Sequence, residues 1–160
     1  MWQDIWNTVL SEFSDIPDAT QVTRITLRLL VAAVLGGILG YERELQGKSA
    51  GMRTHMLVAI GAALFVLIPQ QAGASSADLS RVLQGLIAGV GFLGAGAILM
   101  GTKQVETRGL TTAAGIWVTA AIGMAAGMGR ESTAVLSTLV ALVILSVVPW
   151  IYRTRRESKE

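Results

Sequence analysis

The sequence has no cysteine, only one histidine and few charged residues. Asp, Glu, Lys and Arg make up 15% of its 160 residues, whereas soluble domains have about 25%. The lack of cysteine excludes disulfides and thiolate metal sites within the chain. The apolar segments carry no carboxylate near their middle, and the GxSxG, HExxH and Walker lysine motifs are absent. We therefore expect a non-enzymatic protein without a cofactor or a dedicated metal site.

Apolar residues make up 52% of the chain, and they form long uncharged segments. The segments cover about residues 27–41, 56–68, 82–100, 109–128 and 133–152. The last three reach the roughly 20 residues that a membrane-spanning helix needs. The first two are shorter, so flanking polar residues have to extend them. The pattern predicts an all-α, polytopic membrane helical bundle with five transmembrane helices over residues 18–152.

Lysine and arginine are unevenly divided between the loops, and this bias predicts the orientation. With the N-terminus outside, nine of the 13 basic residues fall on the cytoplasmic side. These nine are Arg43, Lys48, Arg53, Lys103, Arg108, Arg153, Arg155, Arg156 and Lys159. We expect a multi-pass protein of a bacterial inner membrane with a basic cytoplasmic tail at 153–160. Because the charges are split among short loops, nucleic-acid binding is not expected.

The first 17 residues have a different pattern, in which apolar residues recur with helical spacing. Polar residues occupy the opposite face, and Pro17 follows. This is typical of an amphipathic helix lying in the membrane interface, with tryptophans at headgroup depth. We expect it at the outer face, as a lipid-bilayer anchor. The apolar positions are Trp2, Ile5, Trp6, Val9, Leu10 and Phe13.

Small residues dominate the third and fourth apolar segments. Such residues let membrane helices pack closely, within one chain or in a homo-oligomer of two or more copies. They also let backbone carbonyls line a polar path, as in transporters. The sequence leaves both interpretations open, although it favours close packing of these two segments. The glycines are Gly85, Gly89, Gly91, Gly94, Gly96, Gly115 and Gly123.

Polar residues at the edges of the apolar segments are the candidate functional residues. Arg28 lies within the first segment, where it either extends outward to the interface or has a role inside the bundle. The others form a predicted inner-face cluster, because the loops that carry them share one side of the membrane. At the start of the fourth segment, free N–H groups favour an anion or a carboxylate. The cluster consists of Glu42, Arg43, Glu44, Arg53, Thr54, His55, Arg108, Thr111 and Thr112.

Four stretches carry a family resemblance: RLLVAAVLGGILGYERE, AGMRTHMLVAIGAALF, GLIAGVGFLGAGAIL and RGLTTAAGIWVTAAIGMAAGMG. In this order they cover roughly residues 28–129, and they resemble the MgtC/SapB family of bacterial inner-membrane proteins. The resemblance implies a five-span membrane domain with a cytoplasmic C-terminus. Many members continue into a soluble ACT-like domain, whereas this sequence stops at Glu160. We therefore expect the short type with a membrane domain only.

The resemblance also implies a set of functions. Family members are linked to growth in low magnesium and to the survival of pathogens in macrophages, and some are described as inhibitors of the F-type ATP synthase. We expect a protein of magnesium or membrane-energy homeostasis that contacts other membrane proteins, such as ATP synthase. The alternative is an oligomeric transporter or channel for Mg²⁺ or another ion, gated by the inner-face cluster. A third hypothesis is a packing module whose polar groups only pair with each other.

Overall fold

The computed structural model describes residues 1–14, 18–99 and 109–157. Within these ranges the chain forms six α-helices and no strand. The helices are α1 Trp2–Glu12, α2 Ala19–Leu45, α3 Met52–Gln71, α4 Ser76–Leu99, α5 Leu110–Gly127 and α6 Glu131–Glu157.

Five of these helices, α2 to α6, are long and apolar enough to cross a membrane. The two short apolar segments lie in α2, which has 27 residues, and in α3, which has 20. Polar residues lengthen both helices. They are Thr20 and Gln21 at the start of α2, and Gln70 and Gln71 at the end of α3. Asp18 caps α2, because its Oδ1 accepts the Gln21 N–H at 2.7 Å. The predicted all-helical fold with five candidate spans is confirmed.

Helix α1 stands apart from the bundle. It has no buried residue, and within the described residues it makes no contact with another helix. Trp2 and Trp6 are both exposed. A helix with this uncovered apolar face fits the predicted position in the interface, which stays a prediction.

The centre of the bundle consists of α2, α3 and α5. Helices α2 and α3 are antiparallel, and α5 runs parallel to α3. Helix α6 packs on α2 and α5, while α4 lies at the periphery against α5 and α3. We call the end of the bundle where α2 finishes the Leu45 end, and the opposite end the Ala19 end.

Glycines bring the three central helices close enough for backbone contact. A Cβ added to Gly36 would lie 2.7 Å from the His55 carbonyl oxygen, and one on Gly40 would lie 2.5 Å from the Met52 Cα. A Cβ on Gly123 would overlap the backbone of Ala59. Ala59 is itself completely buried. Small residues on both sides thus let α3 pack against two neighbours along most of its length.

The glycines of α4 behave differently from those of α5. At Gly85, Gly89, Gly91 and Gly96 an added Cβ would meet no atom within 4 Å. Gly94 alone among the five faces α5, where its Cβ would lie 3.5 Å from that of Ala113. The small face of α5 is instead covered by α3. Helices α4 and α5 are in contact, but of the predicted packing glycines of α4 only Gly94 takes part.

Candidate functional site

The loop between α2 and α3 is held by a side chain of α2 that caps the N-terminus of α3. Gly51 precedes α3 and has no side chain with which to cap it. The Glu44 carboxylate replaces that cap: its Oε2 accepts the Met52 N–H at 3.0 Å. A Cβ on Gly51 would lie only 2.7 Å from the same oxygen. Glycine at 51 therefore lets the carboxylate reach the free N–H groups at the start of α3.

Replacing Glu44 by alanine should lower the stability of the bundle by about 1 kcal/mol, the usual effect of losing an N-terminal cap. The measurement is the unfolding midpoint of the purified protein in detergent. Arg53→Ala is the matched control, because Arg53 is exposed and has no ion pair among the described residues. Equal midpoints for the two variants would show that Glu44 does not stabilise α3.

Arg43 is the most conspicuous charge at the Leu45 end, because it is only 1% exposed. Its Nη1 donates to Oε2 of the adjacent Glu42 at 3.4 Å. Glu42 also accepts a hydrogen bond from the Gln46 amide, which reaches the Leu145 carbonyl of α6 at 3.3 Å. Nε and Nη2 of Arg43 have no partner within the part of the chain that the structure describes. Arg43 thus carries unused donors in a buried position, where each is costly.

His55 lies in the first turn of α3 and is also 1% exposed. Its Nδ1 is 2.9 Å from the Gly51 carbonyl oxygen, which is an acceptor, so Nδ1 carries the hydrogen. In the neutral ring, Nε2 is then an acceptor. Nε2 has no partner among the described residues. It faces α5 at Gly115, where an added Cβ would lie 3.5 Å away.

Two cavities open at the Leu45 end. The first is a groove of about 450 Å³ between α5 and α6, and His55 lies in its wall. The second, of about 920 Å³, lies among α3, α4 and α5. Polar residues in its wall are Lys48, Ser49, Thr54, Thr111 and Thr112.

The structure brings together only part of the predicted inner-face cluster. Arg43 and His55 form its buried part, with Glu42 partly exposed beside Arg43, and Thr112 of α5 is buried at 4% exposure. Glu44 serves the start of α3, while Arg53 and Thr54 are exposed. Thr111 is exposed and borders both cavities. Arg108 lies outside the described residues.

Arg28 lies at the Ala19 end and joins four helices. Its Nη1 donates to the Gly127 carbonyl of α5 at 2.9 Å and to Gln70 Oε1 of α3 at 3.2 Å. Its Nε is 3.9 Å from Glu131 Oε1 of α6, and its side chain is 18% exposed. The guanidinium thus binds the C-terminal end of α5, which the helix dipole makes favourable for a cation. It points into the bundle instead of extending to the interface.

Sequence reasoning identified Arg28 but missed the groups around it. Gly129 has a φ of +74° and ends the turn after α5. A Cβ there would overlap the Arg28 guanidinium. The available signal was the pair Gly127 and Gly129 at a helix end, followed by Glu131. Because these residues are far from Arg28 along the chain, the sequence did not indicate that they contact it.

Comparison with known proteins gives a consistent result. The model of the MgtC family matches residues 29–154. Protein SrpB of Synechococcus elongatus is 44% identical over an alignment of 133 positions, and the match covers 76% of this chain and 73% of that protein. An Escherichia coli protein named "Putative magnesium transporter YhiD" is 41% identical over an alignment of 128 positions, and the match covers 76% of this chain and 59% of that protein. Protein MgtC of Salmonella typhimurium is 40% identical over 116 residues, 72% of this chain and 48% of its own.

The chain therefore spans about half to three-fifths of the length of YhiD and MgtC. No solved structure matches it.

Proposed function

Because this chain belongs to the MgtC family, we propose that it is a non-enzymatic inner-membrane protein of magnesium homeostasis that acts on other membrane proteins instead of conducting Mg²⁺ itself. In this proposal the N-terminus is outside and the C-terminus is cytoplasmic, as the distribution of basic residues predicts. The names of relatives supply the link to magnesium, and the geometry of the bundle supports the mode of action.

The observation that carries the proposal is the sign of the buried charges. Arg43 is nearly inaccessible and Arg28 is largely enclosed between helices, whereas their carboxylate partners Glu42 and Glu131 are each more exposed than the arginine they face. Within the described residues, no group of three or more His, Cys, Asp or Glu side chains could hold a metal ion. Mg²⁺ requires oxygen ligands, commonly one or two carboxylates with water. Two guanidinium groups at the two ends of the bundle oppose the passage of a divalent cation.

Lateral contacts are supported by α4. It lies at the edge of the bundle, and four of its glycines are uncovered. Small residues on a lipid-facing helix surface allow close approach of another membrane helix. A homo-oligomer, and contact with a larger complex such as ATP synthase, belong to this proposal, as does a role in membrane-energy balance or virulence.

The test is a flux measurement beside a growth assay. The folded protein is inserted into liposomes containing a Mg²⁺-sensitive dye, and Mg²⁺ entry is compared with that of empty liposomes. We expect no difference, while the same gene restores growth in low magnesium to a deletion strain. Mg²⁺ entry well above the empty-liposome rate would overturn the proposal.

The second candidate function is an oligomeric transporter or channel. It is favoured by the 920 Å³ cavity, whose wall includes three threonines and Gly96 of α4. Here the inner-face cluster would form a gate. Flux of Mg²⁺ or a monovalent ion that a bulky Thr54→Trp variant abolishes would support this function over the first, because Thr54 is exposed and lines the cavity.

A further inference from the structure

The groove between α5 and α6 combines an apolar wall with one buried, unused acceptor. Its wall on α6 runs from Leu136 to Leu145, and on α5 from Thr111 to Val118. The nine helical steps from Leu136 to Leu145 correspond to about 14 Å, so the groove is long enough for a segment of hydrocarbon chain. Leu39 and His55 also line it. Most of the wall is aliphatic. The groove has a volume of about 450 Å³, which lies within the range of known ligand sites.

The groove opens toward the lipid. Ala114 on α5 and Leu136, Val140 and Ile144 on α6 line it and are exposed in the structure. A molecule dissolved in the bilayer can therefore enter from the side, without crossing water. The occupant is expected to be a lipid rather than a soluble metabolite.

The polar end of the occupant follows from His55. With Nδ1–H donating to Gly51, the neutral ring presents Nε2 as an acceptor. A buried acceptor without a partner is unfavourable, so the site selects a ligand that brings a donor. Leu39 lines the groove, and Arg43 lies one turn further along the same face of α2, beside Glu42. The Arg43 guanidinium disfavours a cationic ammonium head group at this end of the groove, so the donor that we expect is an uncharged hydroxyl.

We propose that the α5/α6 groove binds an uncharged lipid alcohol, with its hydroxyl donating to His55 Nε2 and its hydrocarbon chain lying along α6 toward Leu136. His55 Nε2 lies level with Gly115, midway along the α5 wall, so the hydroxyl lies inside the groove and the chain runs from there toward the bilayer centre. That is the orientation of such lipids in a membrane. Diacylglycerol and polyprenols share this chemistry.

The test uses photoactivatable lipids in phosphatidylcholine nanodiscs that contain the folded protein. One probe is a diacylglycerol with a diazirine in an acyl chain, the other a polyprenol with the same group. Each is compared with its O-methyl ether, which has no donor. We expect labelling of residues 111–118 and 136–145, with about a fivefold preference for the alcohol, as one hydrogen bond provides. The probe that labels more strongly identifies the source.

Two variants separate the roles of wall and acceptor. Val140→Trp fills the groove and should remove most labelling, whereas Leu139→Trp is the matched control. Leu139 is the neighbouring residue, with a similar exposure of 55% against 52%, and does not line the groove. His55→Phe should bind alcohol and ether equally. Equal labelling by alcohol and ether in the unmodified protein, or labelling that Val140→Trp leaves unchanged, overturns the proposal.

Discussion

Replacing Gly123 by alanine is expected to destabilise the bundle by about 1–3 kcal/mol, the usual effect of overpacking a well-packed core. The added Cβ would overlap the Ala59 carbonyl oxygen and lie 2.8 Å from its Cα. Both are backbone atoms in a helix, so no side chain can rotate away. Helices α3 and α5 would have to separate along their whole contact. The measurement is the unfolding midpoint in detergent, with the fraction of monodisperse protein after purification.

Gly61→Ala is the matched control, because Gly61 lies in α3 and its added Cβ would meet nothing within 4 Å. In a helix this change stabilises by about 0.5–1 kcal/mol, since glycine loses more backbone entropy on folding. The two substitutions are chemically identical, yet they should change the stability of the protein in opposite directions. A Gly123→Ala variant as stable as Gly61→Ala would show that α3 and α5 do not pack in the described register.

Replacing Arg28 by alanine should destabilise the protein by about 1.5–3 kcal/mol, the range for hydrogen bonds to charged groups. The change removes the donors to Gly127 and Gln70 and leaves the last carbonyls of α5 without a cation. The 3.9 Å pair with Glu131 contributes less, because Glu131 is partly exposed. Unfolding midpoints in detergent measure the effect.

Arg24→Ala provides the comparison, since Arg24 lies one turn earlier in α2 and is exposed. It should change the midpoint little. Arg28→Lys should recover only part of the stability, because an ammonium cannot reproduce the guanidinium fork. If Arg28→Ala and Arg24→Ala behave alike, Arg28 has no stabilising role between the helices.

The spans and their order could be predicted because they depend on hydrophobic length and on charges between apolar segments. Both signals are local in the sequence. The bounds of α2 and α3 were harder to predict. Their ends are polar, so apolar length underestimates them by several residues.

The partners of each helix face could not be predicted. The spacing of Gly115 and Gly123 shows that one face of α5 is small, but it does not say which helix covers it. The structure shows that α3 does, and that most glycines of α4 are uncovered. Helix faces made of small residues can all pack on one another, so the sequence does not show which of them form a pair.

The candidate site was predicted only in part for a similar reason. Its charged residues mark the membrane edge, and such residues usually extend into the interface. The sequence gives no indication that Arg43 and His55 turn inward while Arg53 turns outward. Burial depends on where the neighbouring helices end, which is a property of the packed bundle.

The parallel pairing of α3 with α5 also has a consequence for biosynthesis. The chain is made from its N-terminus, so α2 and α3 can form a hairpin while α5 is still inside the ribosome. Until residue 127 has emerged, the surface of α3 around Ala59 and Ala63 has no permanent cover, and α4 is inserted during this interval. During this interval that surface faces lipid or the insertion machinery, and α5 covers it only afterwards.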